Sequence, residues 1–392
     1  MRTLIAGIFL LGYGTFAVAQ SPPPMVEKFL HSGEFLKGEQ HLEHILAEQP
    51  KNDEARFGLG VLQLLLAVEK FGQALYEHGL KSDQDFPIPF PKNPDPATMR
   101  YAIFRQLLED LRLGLERAEK TFAEIQDEKV KVPLRLAAIP LHLDSSGKPT
   151  VQLLELCRKL NGGRFQFEKE NPEFLVCFDR GDVAWFRAYC HLLEAIIDVV
   201  LTFDGEADFD ATASSSFAKY QSRFTAAELQ EKAKNRNFST KLILVEPKRL
   251  SRFRLHLIQV AKLNHETWKF VRAETDNDHE WLPNSKQKGV LGLAVQDQMI
   301  DSWLACMSEL QDVLEGKKTF VASFLSRKGK GINLKVLLED PPLSWDFNKA
   351  QTDWLPDEKY WMKAPDLNLA AFFQALQIFN NPMGVAYAAW FN

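Results

Sequence analysis

Cysteine is scarce in this chain. There are four in 392 residues (Cys157, Cys177, Cys190 and Cys306), and no two are spaced as CxxC. That excludes a zinc knuckle, a thioredoxin-type redox motif and a disulfide-dense scaffold. A basic excess is also lacking: 47 Lys and Arg stand against 52 Asp and Glu, a net charge of −5. A general nucleic-acid binder needs a net basic face, so nucleic acid is excluded as the expected partner. After the first 16 residues no run approaches the ~20 uncharged apolar residues of a membrane-spanning helix. No G-x-S-x-G elbow or H-E-x-x-H is present. The stretch "SRKGKG" lacks the spacing of a phosphate-binding loop, and no helical pattern opens after it.

What the chain does have is apolar mass. Hydrophobic residues make up 45%, with 29 Phe, while charged residues make up 25%. This is a globular composition able to bury a large core. The start, "MRTLIAGIFLLGYGTFAVAQ", reads as a secretory signal. Arg2 precedes an apolar run from Leu4 to Phe16, and Ala17 and Ala19 supply the small side chains that signal peptidase requires. The expectation is an exported protein, periplasmic or extracellular, cleaved after Ala19 and without a transmembrane segment thereafter. In an oxidising compartment four cysteines permit two disulfides. Cys190 and Cys306 lie in apolar helical patterns and read equally well as small buried hydrophobes. Cys177 is expected within reach of Cys157 or Cys190.

The fold class expected is mainly α, with small β-hairpin additions. Residues 20–86 read as helical hairpins. Leu59-Gly60 is a large–small pair, Gly38 and Gly72 lie one 34-residue period apart, Leu42 and Tyr76 follow them by a turn, and Pro50 breaks the pattern between units. In these features residues 33–84 resemble the tetratricopeptide repeat, a paired-helix unit in which small residues let helices approach closely. Gln63 departs from the aromatic usual at its place. The resemblance implies two helix pairs and a protein partner, with Gly72 at the crossing of two repeat helices. The Pro-rich stretch "DFPIPFPKNPDP" is the best domain boundary. Beyond it, residues 97–392 read as a helical core domain, with the option of one continuous domain with 20–86. Helices are expected near 99–125, 182–203, 225–234, 247–273 and 288–315, and β-hairpins near 132–178 and 319–339.

One stretch carries an ionisable line. In "VAWFRAYCHLLEAIIDVVLTF", Arg187, His191, Glu194 and Asp198 fall within roughly 60° of a helical wheel, and the other ~300° is apolar. Such a helix is expected to be central and apolar-buried, so that an Asp at Leu193 would block folding. Its line either satisfies itself through ion pairs or lines a cleft. In the cleft reading His191, Glu194 and Asp198 hold a metal or move protons, and Arg187 binds an anion. Two acidic runs alternate as well: Asp204, Glu206, Asp208 and Asp210, expected in a loop, and Glu274, Asp276, Asp278 and Glu280. Alternate carboxylates in a loop can converge on a hard cation, so Asp276, Asp278 and Glu280 are candidate Ca²⁺ ligands. Neither run matches the twelve-residue Ca²⁺ loop.

Two functional readings follow. The first is an exported helical protein acting through protein–protein contact, in a scaffold or assembly role. The second is a ligand- or metal-binding enzyme with a pocket around helix 183–203. The export reading has a direct check: N-terminal sequencing of the mature protein should begin at Gln20.

Overall fold

The computed structural model describes residues 23–82, 90–144, 146–160, 171–225, 227–228, 231, 241–320, 329–346, 355, 357–378 and 390–391. The signal region and most of the helix expected at 225–234 lie outside the described residues. The fold is mainly α. Its helices are α1 (Glu27–Ser32), α2 (Phe35–Glu48), α3 (Asp53–Glu77), α4 (Tyr101–Ala123), α5 (Leu153–Leu160), α6 (Arg180–Thr202), α7 (Glu206–Ser216), α8 (Lys248–Ala273), α9 (Asp297–Leu314), α10 (Leu334–Glu339) and α11 (Leu369–Ile378). Four small antiparallel pairs accompany them. β1 (Val132–Arg135) pairs with β4 (Leu175–Phe178), and β2 (Pro140–Leu141) with β3 (Val151–Gln152). β5 (Lys241–Ile243) pairs with β7 (Ser344–Asp346), and β6 (Gly331–Ile332) with β8 (Trp361–Met362).

The helix starts are written in the sequence. Asn52 caps α3 by accepting from the Ala55 N–H at 3.0 Å. Asp179 and Asp182 form a reciprocal capping box at α6, which fixes where that helix enters the fold. Thr225 and Glu228 make the same exchange. The long helices then stack in succession: α3 on α4, α4 on α6, α6 on α8, and α8 on α9. At the start of this stack Phe57, Phe122, Phe178 and Phe186 pack edge-to-face and offset, with centroids 5.2–5.9 Å apart. The C-terminal Trp390 and Phe391 close the same core. Their carbonyls accept from the indoles of Trp185 and Trp268, at 2.8 and 3.4 Å.

The core joins the two expected domains. One cluster of buried apolar side chains runs from Val26 through Phe122 and Trp268 to Phe391. The chain after the Pro-rich connector is pinned to the N-terminal helices, with the Asn93 amide donating to the Tyr76 and Glu77 carbonyls. α3 has the length and hydropathy to cross a membrane, yet most of it is buried in this core.

Several expectations are corrected. Where the repeat resemblance implies two helices joined by a turn, residues Asp53–Glu77 form one uninterrupted helix, because nothing between Gly60 and Gly72 breaks it. Gly72 does sit at a close approach, but to Leu143, 2.7 Å from a Cβ placed there, and not to a repeat helix. Leu334–Glu339 is a helix capped by Asn333, not the second strand of a hairpin. The strand at 175–178 pairs with β1 across about 40 intervening residues instead of closing a local hairpin; residues 161–170 lie outside the described residues. The run Asp204–Asp210 enters a helix, so its alternating carboxylates point to different sides: Asp210 is buried against the Ser222 hydroxyl, while Glu206 pairs with Arg223. Residues 288–296 are non-helical, and α9 starts at Asp297. Cys177, Cys190 and Cys306 are buried free thiols, so the disulfides expected through Cys177 and Cys190 are not formed.

Gly60 shows how tight the helix stack is. A Cβ there would lie 2.6 Å from Cε1 of the fully buried Phe122 ring. Overpacking of this kind costs about 1–3 kcal/mol. Gly60→Val should therefore lower the calorimetric melting temperature, and an unchanged melting curve would contradict the close approach of α3 to Phe122.

Candidate functional site

The charged line of α6 is buried. Glu194 is 1% exposed and Asp198 0%, whereas the apolar residues Leu193, Ile196 and Val200 are 37%, 51% and 47% exposed. Most of the helix is enclosed, as expected of a central helix, but the strip that meets solvent is apolar and the charged line faces the interior. The reason is that α4 and α8 flank α6 and bring charged rows of their own. On α4 these are Glu109, Arg112, Glu116 and Glu119; on α8 they are Arg249, Arg252 and His256. All three rows step by three and four residues, so each lies on one helical face.

Most of the seam is closed by ion pairs. Arg187 Nε donates to Glu119 Oε1 at 3.0 Å. Asp198 takes both ends of Arg252, Nη2 at 2.8 Å and Nε at 3.1 Å, and Arg249 Nη1 at 2.9 Å. Arg249 also donates to Glu109 and Glu246, at 2.9 and 2.7 Å. Arg112 is held by Glu109 at 2.9 Å and Glu116 at 3.2 Å. Burial alone would raise the Glu119 carboxyl, but the hydrogen bond and charge from His191, joined by Arg187, hold it below the usual carboxylate range. Burial would likewise raise Glu109, but the Arg112 and Arg249 guanidinium groups hold it below the usual range. Arg187 is thus tied to α4 through its Nε.

One part of the seam is not closed in this way. His191 Nδ1 and His256 Nδ1 lie 2.9 Å apart, so one ring donates to the other. His191 Nε2 lies 3.5 Å from Glu119 Oε1. His256 Nε2 faces Glu194 Oε2 at 3.8 Å and Asp198 Oδ2 at 3.9 Å. Glu194 Oε2 itself accepts no hydrogen bond; its nearest cation is Arg112 Nη1 at 3.6 Å. Desolvation pushes the Glu194 carboxyl up to about 8, against the pull of Arg112 and with the help of Glu116, Glu119 and Asp198. Desolvation and then the neighbouring His191 push His256 down to about 4. At neutral pH the geometry fits a neutral Glu194 beside a neutral His256. One donor atom each from His191, Glu194 and His256 lie within 4.8 Å of one another, the spacing of a metal-ligand set.

The fold separates the expected Ca²⁺ ligands Asp276, Asp278 and Glu280. Lys131 takes Asp276 and Asp278, at 2.6 and 3.0 Å. His279, with a positive φ of 61°, then reverses the chain so that Glu280 turns inward and is buried beside Asp179 and Glu274. This second group crowds carboxylates at the start of α6 and the end of α8. Burial, then mutual repulsion with Asp179, raises Glu274 to about 9; burial also raises Asp179, Glu280 and, strongly, Asp182.

Arg112, Glu119, Arg249, Arg252 and His256 escaped the sequence reading. The signal for them was present, since the rows 109–112–116–119 and 249–252–256 have the same helical step as 187–191–194–198. What pairs the three rows is tertiary and has no local mark.

The Glu194 carboxyl gives a pH test. Its pKa is raised in the folded state, so its contribution to stability is complete below the unfolded value of 4.5 and is lost as pH rises through about 8. Glu194→Gln removes that loss. In chelator, the melting temperature of the variant relative to the parent should rise from pH 5 to pH 9, corresponding to at most about 5 kcal/mol; a difference independent of pH would show that Glu194 is not held neutral. Comparison with protein-family models, curated proteins and solved structures finds no match to this chain.

Proposed function

We propose that the protein is exported and acts by binding another protein on the outward apolar face of α6. The observation that supports this reading is the apolar strip that this otherwise enclosed helix leaves exposed. Leu193, Ile196 and Val200, at i, i+3 and i+7, form an exposed row beside the half-buried Leu192 and Val199. The apolar surface continues past the helix end. The Val245 N–H donates to the Thr202 carbonyl at 2.9 Å, tying the exit of β5, with exposed Ile243 and Val245, to the end of α6. Leu343, the most exposed of the large apolar residues, lies opposite, where its carbonyl accepts from Leu244.

Contiguous exposed apolar surface on a soluble chain marks a contact surface. A row of two helical turns, ~10 Å long, matches the footprint of an amphipathic helix laid alongside it. The partner class is therefore a protein presenting such a helix. Export follows from the N-terminal pattern of Arg2, the Leu4–Phe16 run and Ala17/Ala19.

A photo-crosslinking residue at position 196, in the cell that makes the protein, tests this. A discrete heavier adduct is expected from position 196 and not from the exposed position 37. Leu193→Asp should fold with an unchanged melting temperature, since Leu193 is exposed, while losing the adduct. Equal labelling from both positions, or no adduct, would refute the reading. An adduct of twice the monomer mass would replace a distinct partner by a second copy.

A further inference from the structure

We propose that His191, Glu194 and His256 form a binding site for one divalent cation of the Zn²⁺ class. The proposal stands apart from the docking face and rests on the unclosed part of the seam.

Two imidazoles and one carboxylate form a borderline donor set that suits Zn²⁺ better than Ca²⁺ or Mg²⁺, which take mainly oxygen. Zn–N and Zn–O distances of about 2.0–2.2 Å put tetrahedral donors ~3.4 Å apart. The ring nitrogens are already at 2.9 Å, and all three donors lie within 4.8 Å, so small side-chain rotations close the set. The three residues come from two rigid, adjacent helices, which fixes their positions.

The independent mark is Glu194 Oε2. It is buried, aimed at His256 Nε2, and has no hydrogen-bond donor. The neighbouring cations make their hydrogen bonds to other acids, and only Arg112 Nη1, at 3.6 Å, stands near Glu194 Oε2. From α4, Arg112 is held by Glu109 and Glu116; from α6, Arg187 is held by Glu119; from α8, Arg249 and Arg252 are held by Asp198. Asp198 and Glu116 are likewise engaged. Glu194 is the acid in the seam without a guanidinium of its own within hydrogen-bond distance. A cation placed there would supply the partner that the Glu194 Oε2 oxygen lacks. Glu119, beside His191 Nε2 and fixed by Arg187, is placed to orient the ligand ring as an outer partner does in metal sites. The two histidine side chains keep 15% exposure each, which gives an entry path from solvent.

The test is titration of the chelator-stripped mature protein with Zn²⁺ by calorimetry, and with Co²⁺ by visible absorption. One equivalent of Zn²⁺ and a Co²⁺ spectrum of low coordination number are expected. Glu194→Gln and His256→Gln should each weaken binding more than about tenfold, with melting curves confirming that both variants are folded. His279→Gln, in the separate group of exposed His279 and Asp278 with buried Cys177, should leave binding unchanged. No Zn²⁺ binding by the parent protein, binding retained by Glu194→Gln, or Ca²⁺ competing on equal terms would overturn the assignment.

Discussion

Asp198 is wholly buried, and two guanidinium groups close on its carboxylate. Burying an ionised carboxylate is costly unless it is paired with good geometry and further hydrogen bonds, and removing one partner of such a pair costs several kcal/mol. That constraint governs how the long helices sit. α8 must present Arg249 and Arg252 to α6, and α4 must present Arg112 to Glu194 and Glu119 to Arg187. Sliding α8 along α6 by one turn would take Arg249 and Arg252 away from the buried Asp198. The seam therefore fixes register, while the aromatic cluster of Phe57, Phe122, Phe178 and Phe186 supplies adhesion that depends far less on exact register.

Much of the secondary structure was legible because it is local. The boundaries of α4, α6 and α8 follow from 3.6-residue periodicity and from caps such as Asp179. The helix at 334–339 was misread because "INLKVLLED" offers a short apolar run that suits strand or helix, and the Asn333 cap decides it. The α3 break was misread because Gly60 and Gly72 allow close approach without compelling a turn.

The α6 error is more instructive. A wheel gives the width of a polar stripe but not which side faces the core, and the usual inference from hydrophobicity put the apolar side inside. That inference fails when neighbouring helices carry complementary charged rows. The three rows, at 109–119, 187–198 and 249–256, share one step; read together they predict a polar interface, whereas read singly each resembles an ordinary wet face. The line Asp276–Asp278–Glu280 failed for a different reason. Alternation gives no account of the partners that tertiary packing supplies: Lys131 takes Asp276 and Asp278, and Glu280 is buried beside Asp179 and Glu274.

The two faces of α6 are consequences of each other. Once the charged side is committed to the seam, the helix has no polar surface left to offer solvent, so Leu193, Ile196 and Val200 face outward by default. The exposure of that row is thus the structural cost of an internal polar seam, and a surface that covers the row offsets part of it. Conversely, the seam can tolerate Glu194 without a hydrogen-bonded guanidinium because its proton, or a cation in its place, keeps the interior near neutrality. Coverage of the outer face and occupancy of the seam both act on the same helix, which ties them to the stability of one element.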